Sequence, residues 1–338
     1  MNNSYNVQLE ELCKKLELGD LTKTPVAISG GHLHRMYAIE TTNGNYAVKA
    51  LNPSIMERPT ALHNYIQSER IVDFLSNRIP AQPAKKFKGD FLQSIDNQFY
   101  MIFDWIVGDC KVATDITEAD CKKIGSILAN IHQTDYSQFD MSHASSKEAR
   151  EIVWAFYLNK GKEEKAVWIN DLSDSVEKLS LWNAKSNRSK KMLESEKVLS
   201  HRDLEPKNVM WKNGEPIIID WESAGEINPK HDLIETAIYW SINELGSVDK
   251  DKFLAFLKGH QNSYGMVQVD WRAVLDAGYF NKLEWLEYSL KRSLQIECAD
   301  KVEQEMGTRQ VIETLNELKE YEKLSTILVE WLNEWKKK

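Results

Sequence analysis

Cysteine is scarce in this 338-residue chain and nowhere paired. Cys13, Cys110, Cys121 and Cys298 lie scattered with no C-x-x-C spacing, which excludes a disulfide framework and a structural zinc site. They read as free thiols. Long apolar runs are also missing: no stretch approaches the ~20 apolar residues that cross a bilayer, and the beginning of the chain has no apolar h-region of a secretion signal. The expected location is therefore cytoplasmic. Positive charge is in deficit, with 43 Lys and Arg against 51 Asp and Glu. That balance argues against nucleic acid or an anionic membrane surface as the main partner, because both demand positive patches. A cationic small molecule suits it. There is no G-x-x-x-x-G-K-[ST] loop, no G-x-G-x-x-G, no internal repeat and no low-complexity tract, which excludes P-loop folds and repeat arrays.

What is present is concentrated between Leu199 and Asp220. His201-Arg202-Asp203 is followed by Asn208 five residues beyond the aspartate, the spacing of a phosphoryl-transfer loop in which a carboxylate orients an attacking hydroxyl and an amide oxygen binds magnesium. Asp220 closes the β-branched run Ile217-Ile218-Ile219 and is expected to be a second metal ligand, held rigidly by a buried strand. Singly, an Asp in a turn, an Asn before a strand and an Asp after one are ordinary structural residues. Together they make a strand-turn-strand unit, Val209–Trp211 and Pro216–Ile219 around Lys212-Asn213-Gly214, that points two metal-binding side chains and one base at a common spot.

These residues resemble the aminoglycoside phosphotransferase and choline kinase superfamily, small-molecule kinases with the protein-kinase fold. His201, Asp203, Pro206, Asn208 and Asp220-Trp221-Glu222 fall on its catalytic loop and metal-binding strand, and Asn228-Pro229 through Asp232-Leu233 is similar to its D-P-x-x-D-L segment. Arg202 and Lys207 depart from the usual pattern. The resemblance implies an α+β, bilobal protein-kinase-like fold, with an N-terminal antiparallel sheet lobe over residues 1–104 and a mainly helical catalytic and acceptor lobe over 105–338. It implies ATP or another nucleoside triphosphate and Mg2+ as cofactors, a small-molecule acceptor and a monomer or homodimer. Antibiotic resistance is one role it would allow.

The rest of the chain fits that outline. Leu9, Leu12, Cys13 and Leu16 predict a short amphipathic helix within Gln8–Leu18, and Pro25–Ser29, Arg35–Glu40 and Asn45–Leu51 predict three strands. Between the first two strands, paired Gly30 and Gly31 would let backbone N–H groups approach nucleotide phosphates. His32 and His34 read as solvent-facing, since a metal needs more ligands than two. Lys49 alternates with apolar Val48 and Ala50, and matches the lysine that binds the α- and β-phosphates. Pro59–Leu75 predicts a helix with Leu62, Ile66, Val72 and Leu75 along its stripe. Glu69 falls in the same register and needs a cationic partner if buried; the resemblance makes Lys49 that partner. Gln98–Val107 predicts a strand running into a hinge, where Phe103, Asp104 and Ile106 would receive adenine.

From Thr117, a capping-box pattern with Asp120 opens a helix to His132, and His132 is expected to bond the catalytic-loop backbone. Residues 150–198 read as helices with a polar break at Asn159–Glu164, and Lys185–Lys191 as a solvated loop. Further helices are expected at Asp232–Ser241, Phe253–Leu257, Trp271–Leu275, Leu283–Leu294 and Val311–Trp335. Trp240, Trp271, Trp285 and Tyr288 stand amid Glu235, Glu284, Glu287, Glu297 and Asp300. Aromatic faces beside carboxylates suit an amino-bearing acceptor, and Glu235, Trp271, Glu284, Glu287 and Asp300 are its candidate ligands. A core stripe with a solvated face is the plain alternative.

The reaction expected is therefore transfer of the ATP γ-phosphoryl group to a hydroxyl of a small cationic molecule, an aminoglycoside before choline, ethanolamine or a sugar. A protein kinase would need D-F-G and a long activation segment, whereas Asp220-Trp221-Glu222 runs within a few residues into the Asp232 helix. A non-catalytic nucleotide-binding module would lack one of Asp203, Asn208 or Asp220, and all three are present.

Overall fold

The structure is a computed structural model that describes residues 5–28, 33–139, 149–265, 269–298 and 300–335. Gly30, Gly31 and His32 lie outside the described residues. The chain forms two compact units, one of residues 1–116, 133–145 and 199–226, the other of 117–132, 146–198 and 227–338. This differs from a single cut after residue 104, because the catalytic segment groups with the sheet.

The first unit opens with α1 (Leu9–Lys15), which buries Leu9, Leu12 and Cys13. It stops before the expected end because Glu17 adopts a left-handed conformation, φ 56°, ahead of Gly19. Five strands follow: β1 (Val26–Ile28), β2 (Arg35–Thr41), β3 (Gly44–Ala50), β4 (Gln93–Ile95) and β5 (Gln98–Asp104). They form an antiparallel sheet in the order β1-β2-β3-β5-β4. Strand β4 was not expected. It exists because Asp96 and Asn97 both take positive φ, 45° and 66°, and these residue types tolerate that region well enough to build a tight hairpin turn. Tyr46, Val48 and Ala50 alternate onto one face and pack with Leu12, Ile39, Tyr100 and Ile102. Lys49 is thereby directed to the other face.

Between the sheet strands come α2 (Pro53–Met56), capped by Asn52, and α3 (Ala61–Leu75). The buried side of α3 is Ala61, Tyr65, Ser68, Glu69 and Val72, whereas Leu62 is exposed. The chain after α3 then acts as a stitch. Lys85 N–H donates to Ile102 O at 2.7 Å, Gln82 N–H to Ile218 O at 2.9 Å and Ile218 N–H to Pro80 O at 2.7 Å. Residues 80–85 thus join β5 to the catalytic hairpin. That hairpin belongs to a three-stranded sheet of β6 (Asp109–Cys110), β8 (Val209–Lys212) and β9 (Glu215–Ile218), while β7 (Val198–Ser200) and β10 (Gly225–Ile227) flank the catalytic segment.

The second unit is helical: α4 (Glu118–His132), α5 (Trp154–Glu163), α6 (Ile169–Leu193), α7 (Pro229–Ser241), α8 (Lys250–Tyr264), α9 (Trp271–Ala277), α10 (Tyr279–Ser293) and α11 (Lys301–Trp335). The capping box forms as expected, with Thr117 N–H bonded to Asp120 Oδ2 and Asp120 N–H to Thr117 Oγ1. Two expectations fail. Helix α5 runs through Asn159–Glu163, since Tyr157 and Gly161 share its buried face and the Trp168 ring covers Gly161. Lys185–Lys191 lies on α6 rather than in a loop, because Trp182, Ser186 and Ser189 make a buried stripe at helical spacing and leave the basic groups on the other sides. Trp168, Trp182, Tyr279, Leu286 and Leu315 form the core. Among the described residues no helix is long and apolar enough to cross a membrane.

Helices α4 and α8 touch backbone to backbone through reciprocal glycines. A Cβ on Gly125 would sit 2.2 Å from Phe256 O, and one on Gly259 would sit 2.1 Å from Lys122 O. Neither contact can yield by turning a side chain, so Gly259→Ala should force the helices apart and destabilise the fold by about 1–3 kcal/mol. Urea unfolding tests this, and a variant as stable as the parent would refute the close approach.

Candidate active site

Strand β7 delivers Ser200 and His201 into the interior, and His201 organises the loop that follows. Its Nδ1 accepts the Asp203 N–H at 3.2 Å, so the neutral ring carries its proton on Nε2 and donates it to Ile219 O at 2.9 Å. Ile219 N–H donates in turn to Asn208 O at 3.0 Å. Ile219 is therefore gripped on both sides by the loop, which fixes the end of β9 against residues 201–208. Pro206 starts a single 3-10 turn through Asn208, and Asn208 Nδ2 donates to Asp203 O at 2.8 Å and Asp203 Oδ2 at 2.9 Å. With its N–H groups held by Asp203, the amide oxygen is the Asn208 atom suited to a cation.

Asp220 adopts φ 60°, ψ 62°, a left-handed conformation that breaks the strand and turns the carboxylate away from its line. Its Oδ1 lies 2.6 Å from Lys49 Nζ, and Glu222 Oε2 lies 2.8 Å from the same nitrogen. Burial opposes the charge on Lys49, but the Glu222 and Asp220 carboxylates overcome it and hold the pKa above that of an ordinary lysine. Burial likewise opposes ionisation of Glu222, yet Lys49 and His34 hold its carboxyl well below the usual range.

His34 is buried, contrary to the solvent-facing position expected. Its Nδ1 accepts the Asn52 N–H at 3.0 Å, while Nε2 meets Tyr65 OH at 2.6 Å and Glu222 Oε2 at 3.3 Å. The ring fills the space under Glu222 and keeps its carboxylate turned toward Lys49. Glu222 was legible as part of Asp220-x-Glu222. For His34 and Tyr65 the sequence carried no signal.

The expected Lys49–Glu69 ion pair is not formed. Glu69 is buried, but its Oε2 accepts the Ala84 N–H at 2.6 Å and so pins the segment that stitches the sheet to the hairpin. Burial raises its pKa to about 7 against the opposing effects of the Ala84 bond and Lys49. An unfolded glutamate ionises near pH ~4.3, so the folded state binds the extra proton between that value and 7. Stability is therefore expected to fall as pH rises through this window and to level above it. Glu69→Gln should flatten that part of the curve; unfolding measurements at pH 5 and pH 8 with unchanged slope would remove Glu69 as its source.

Asp203 is raised to about 7, first by burial and further by Glu205, with Lys207 and Asn208 opposing. Lys207 Nζ stands 3.1 Å from Glu205 Oε2 and 3.6 Å from Asp203 Oδ1. At the end of β5, Phe103 is half-buried against the cluster of Leu51, Tyr65 and Met101, Asp104 pairs with Lys85 at 2.7 Å, and Gln82 donates to Asp104 O at 2.7 Å. Asp104 and Ile106 border an open recess of about 550 Å³ together with Pro80, Gln82 and Ile217. None of Lys49, Asp203, Asn208 or Asp220 lines it, so it lies apart from the chemistry.

Most of the acceptor candidates are already engaged within the protein. Trp271 is buried against Trp335, with ring centroids 6.3 Å apart, and offers no face to a ligand. Arg150 already pairs with Glu284, at 2.9 Å, and with Glu287, which also accepts from Tyr157 OH at 2.8 Å. Asp300 Oδ1 accepts the Glu303 N–H at 2.9 Å, close to the start of α11. Glu235 is half-buried and lies 3.5 Å from His231 and 3.4 Å from Asn281. His132 bonds Asp232 at 2.8 Å and His260 at 3.1 Å, not the catalytic-loop backbone.

Among the described residues no three His, Cys, Asp or Glu side chains gather as a metal cage. An amide oxygen with one or two carboxylates is instead the donor set for magnesium, which binds few protein ligands and keeps water or phosphate in its other positions.

Known proteins share the fold. Spectinomycin phosphotransferase, APH(9)-Ia, in complex with ADP and spectinomycin, is 15% identical, with a TM-score of 0.71 over 94% of this chain and 99% of that one. Choline kinase from Cryptosporidium parvum Iowa II is 12% identical, with a TM-score of 0.62 over 98% and 99%. Amicoumacin kinase in complex with AMP-PNP, Ca2+ and Ami is 15% identical, with a TM-score of 0.55 over 93% and 94%. At these identities the likeness is one of fold: an antiparallel-sheet lobe with a helical remainder. No curated protein matches the sequence. The model of the phosphotransferase enzyme family, APH, matches residues 24–271, most of the sequence and all of the site around Asp203, and the chain thus belongs to that family as a small-molecule kinase.

Proposed function

We propose that the chain transfers the γ-phosphoryl group of ATP to a hydroxyl of a small, cationic acceptor. The observation that carries this reading is the convergence of Asp203, Asn208, Asp220 and Lys49 within one compact unit. Asp203 orients the acceptor hydroxyl and receives its proton on Oδ1, since Oδ2 is held by Asn208. Asn208 Oδ1 and Asp220 would hold magnesium, and Lys49 would anchor the α- and β-phosphates while Glu222 keeps it in place. Bound magnesium would neutralise the charge that builds on the phosphates. Phe103, Asp104 and Ile106 are the proposed adenine contacts.

For the acceptor, the net charge of -8 favours a cation. An aminoglycoside would make this a resistance enzyme; choline or ethanolamine would make it metabolic. Of the acidic candidates, Glu235 is the one we retain, because Glu284 and Glu287 share Arg150 as an ion-pair partner. A screen for acceptor-dependent ADP release with aminoglycosides, choline, ethanolamine and neutral sugars tests the proposal. Turnover with a neutral sugar and none of the amines would refute a cationic acceptor, and absence of nucleotide binding would refute the reaction itself.

A further inference from the structure

The two oxygens of Asp203 face different neighbours. Oδ2 accepts from Asn208 at 2.9 Å, whereas Oδ1, the oxygen available to an acceptor hydroxyl, has Lys207 Nζ 3.6 Å away. The two lysines of the site are held in opposite ways. Lys49 is buried and clamped by two carboxylates, while the Lys207 side chain is 51% exposed and its ammonium pairs with Glu205 Oε2 at 3.1 Å on a flexible four-carbon stem. Its backbone is fixed nonetheless: Pro206 starts the turn, Asn208 N–H bonds Glu205 O at 2.9 Å, and Lys207 O accepts from Cys110 Sγ at 3.1 Å. An exposed ammonium on a fixed backbone therefore stands at the reactive side of Asp203.

We propose that Lys207 is a further catalytic residue, whose ammonium contacts the phosphoryl group in flight and stabilises the charge on its equatorial oxygens. This rests on the phosphoryl-transfer reading above. An acceptor oxygen bonded to Asp203 Oδ1 must lie within about 3–3.5 Å of the phosphorus it attacks. A small rotation of the Lys207 side chain then brings its ammonium to the oxygens of that group. In the step, the acceptor O–H bond breaks and its proton passes to Asp203 Oδ1. A new O–P bond forms at the γ-phosphorus, and the bond to the β-bridging oxygen breaks, its electron pair leaving with ADP. Lys207 keeps its protons throughout and acts by charge, where a positioned cation has its largest effect.

The rival role is local: relief of the repulsion between the Asp203 and Glu205 carboxylates. Mg-ADP with aluminium fluoride, a mimic of the transferring phosphoryl group, separates the two when titrated calorimetrically into the full chain. The parent protein should bind this combination more tightly than Mg-ADP alone. Lys207→Gln should keep its Mg-ADP affinity but lose at least about tenfold of the added tightening, Lys207→Arg should recover part of it, and adding Glu205→Gln to Lys207→Gln should not restore it. Full tightening in Lys207→Gln, its restoration by Glu205→Gln, or no tightening in the parent protein would each overturn the role of Lys207. Failure of the parent protein to bind Mg-ADP would instead overturn the phosphoryl-transfer reading beneath it.

Discussion

Asp203→Asn should lower turnover by about two to four orders of magnitude while leaving Mg-ATP affinity nearly unchanged, the signature of a lost general base. The substitution is close to isosteric, and an amide oxygen at this position can still accept from Asn208 Nδ2. The fold of residues 201–208 should therefore survive, so the loss reports the missing charge. The parent enzyme adds a second readout. Because burial and Glu205 raise Asp203 to about 7 and the base works only when ionised, kcat/KM should climb as pH rises through that region and fall below it. This acid limb follows the ionisation of Asp203. It should vanish in Asp203→Asn. Turnover within tenfold of the parent, or an unchanged acid limb, would remove Asp203 from the mechanism.

Asp220→Asn should abolish the magnesium-dependent part of nucleotide binding. Asparagine is chosen over alanine for a backbone reason: Asp220 sits at φ 60°, a region that asparagine tolerates and that costs most other residues about 1–2 kcal/mol. The change then removes charge without adding strain. Lys49 would keep Glu222 as a partner, so the sheet face should stay folded and any residual nucleotide binding should be insensitive to magnesium. Calorimetry with ATP, with and without magnesium, measures this. Identical Mg-ATP affinity in the variant and the parent would contradict the metal assignment.

Much of this site was legible because it is local in the chain. The loop from His201 to Asn208 and the return to Asp220 span few residues, and the strand-turn-strand between them follows from β-branched runs around Asn213-Gly214, with Asn213 and Gly214 both at positive φ. The sheet could be read from alternation, which also directed Lys49 away from the apolar face shared by Val48 and Ala50. Helix periods were clear for α4, where a capping box marked the start. They were obscured on α6, where serines occupy buried positions beside lysines and mimic a polar loop.

The partner of Lys49 could not be decided in the same way. The sequence offered Glu69 as that partner, on the strength of the family resemblance. In the fold, Lys49 meets Asp220 and Glu222, 171 and 173 residues away, while Glu69 takes the Ala84 N–H. Residues 80–85 fix this outcome by tying β5 to β9, which carries Asp220 and Glu222 up to the sheet face that bears Lys49. His34, just ahead of β2, and Tyr65 on α3 then pack against Glu222 and each other. The same holds for Glu284 and Glu287, whose charges look available along α10 until Arg150 arrives from another segment. Residue identity and spacing determined which groups could ionise and which strands would carry them. Which charges meet was decided by long-range packing, because a buried carboxylate takes whatever donor the fold brings within hydrogen-bonding distance.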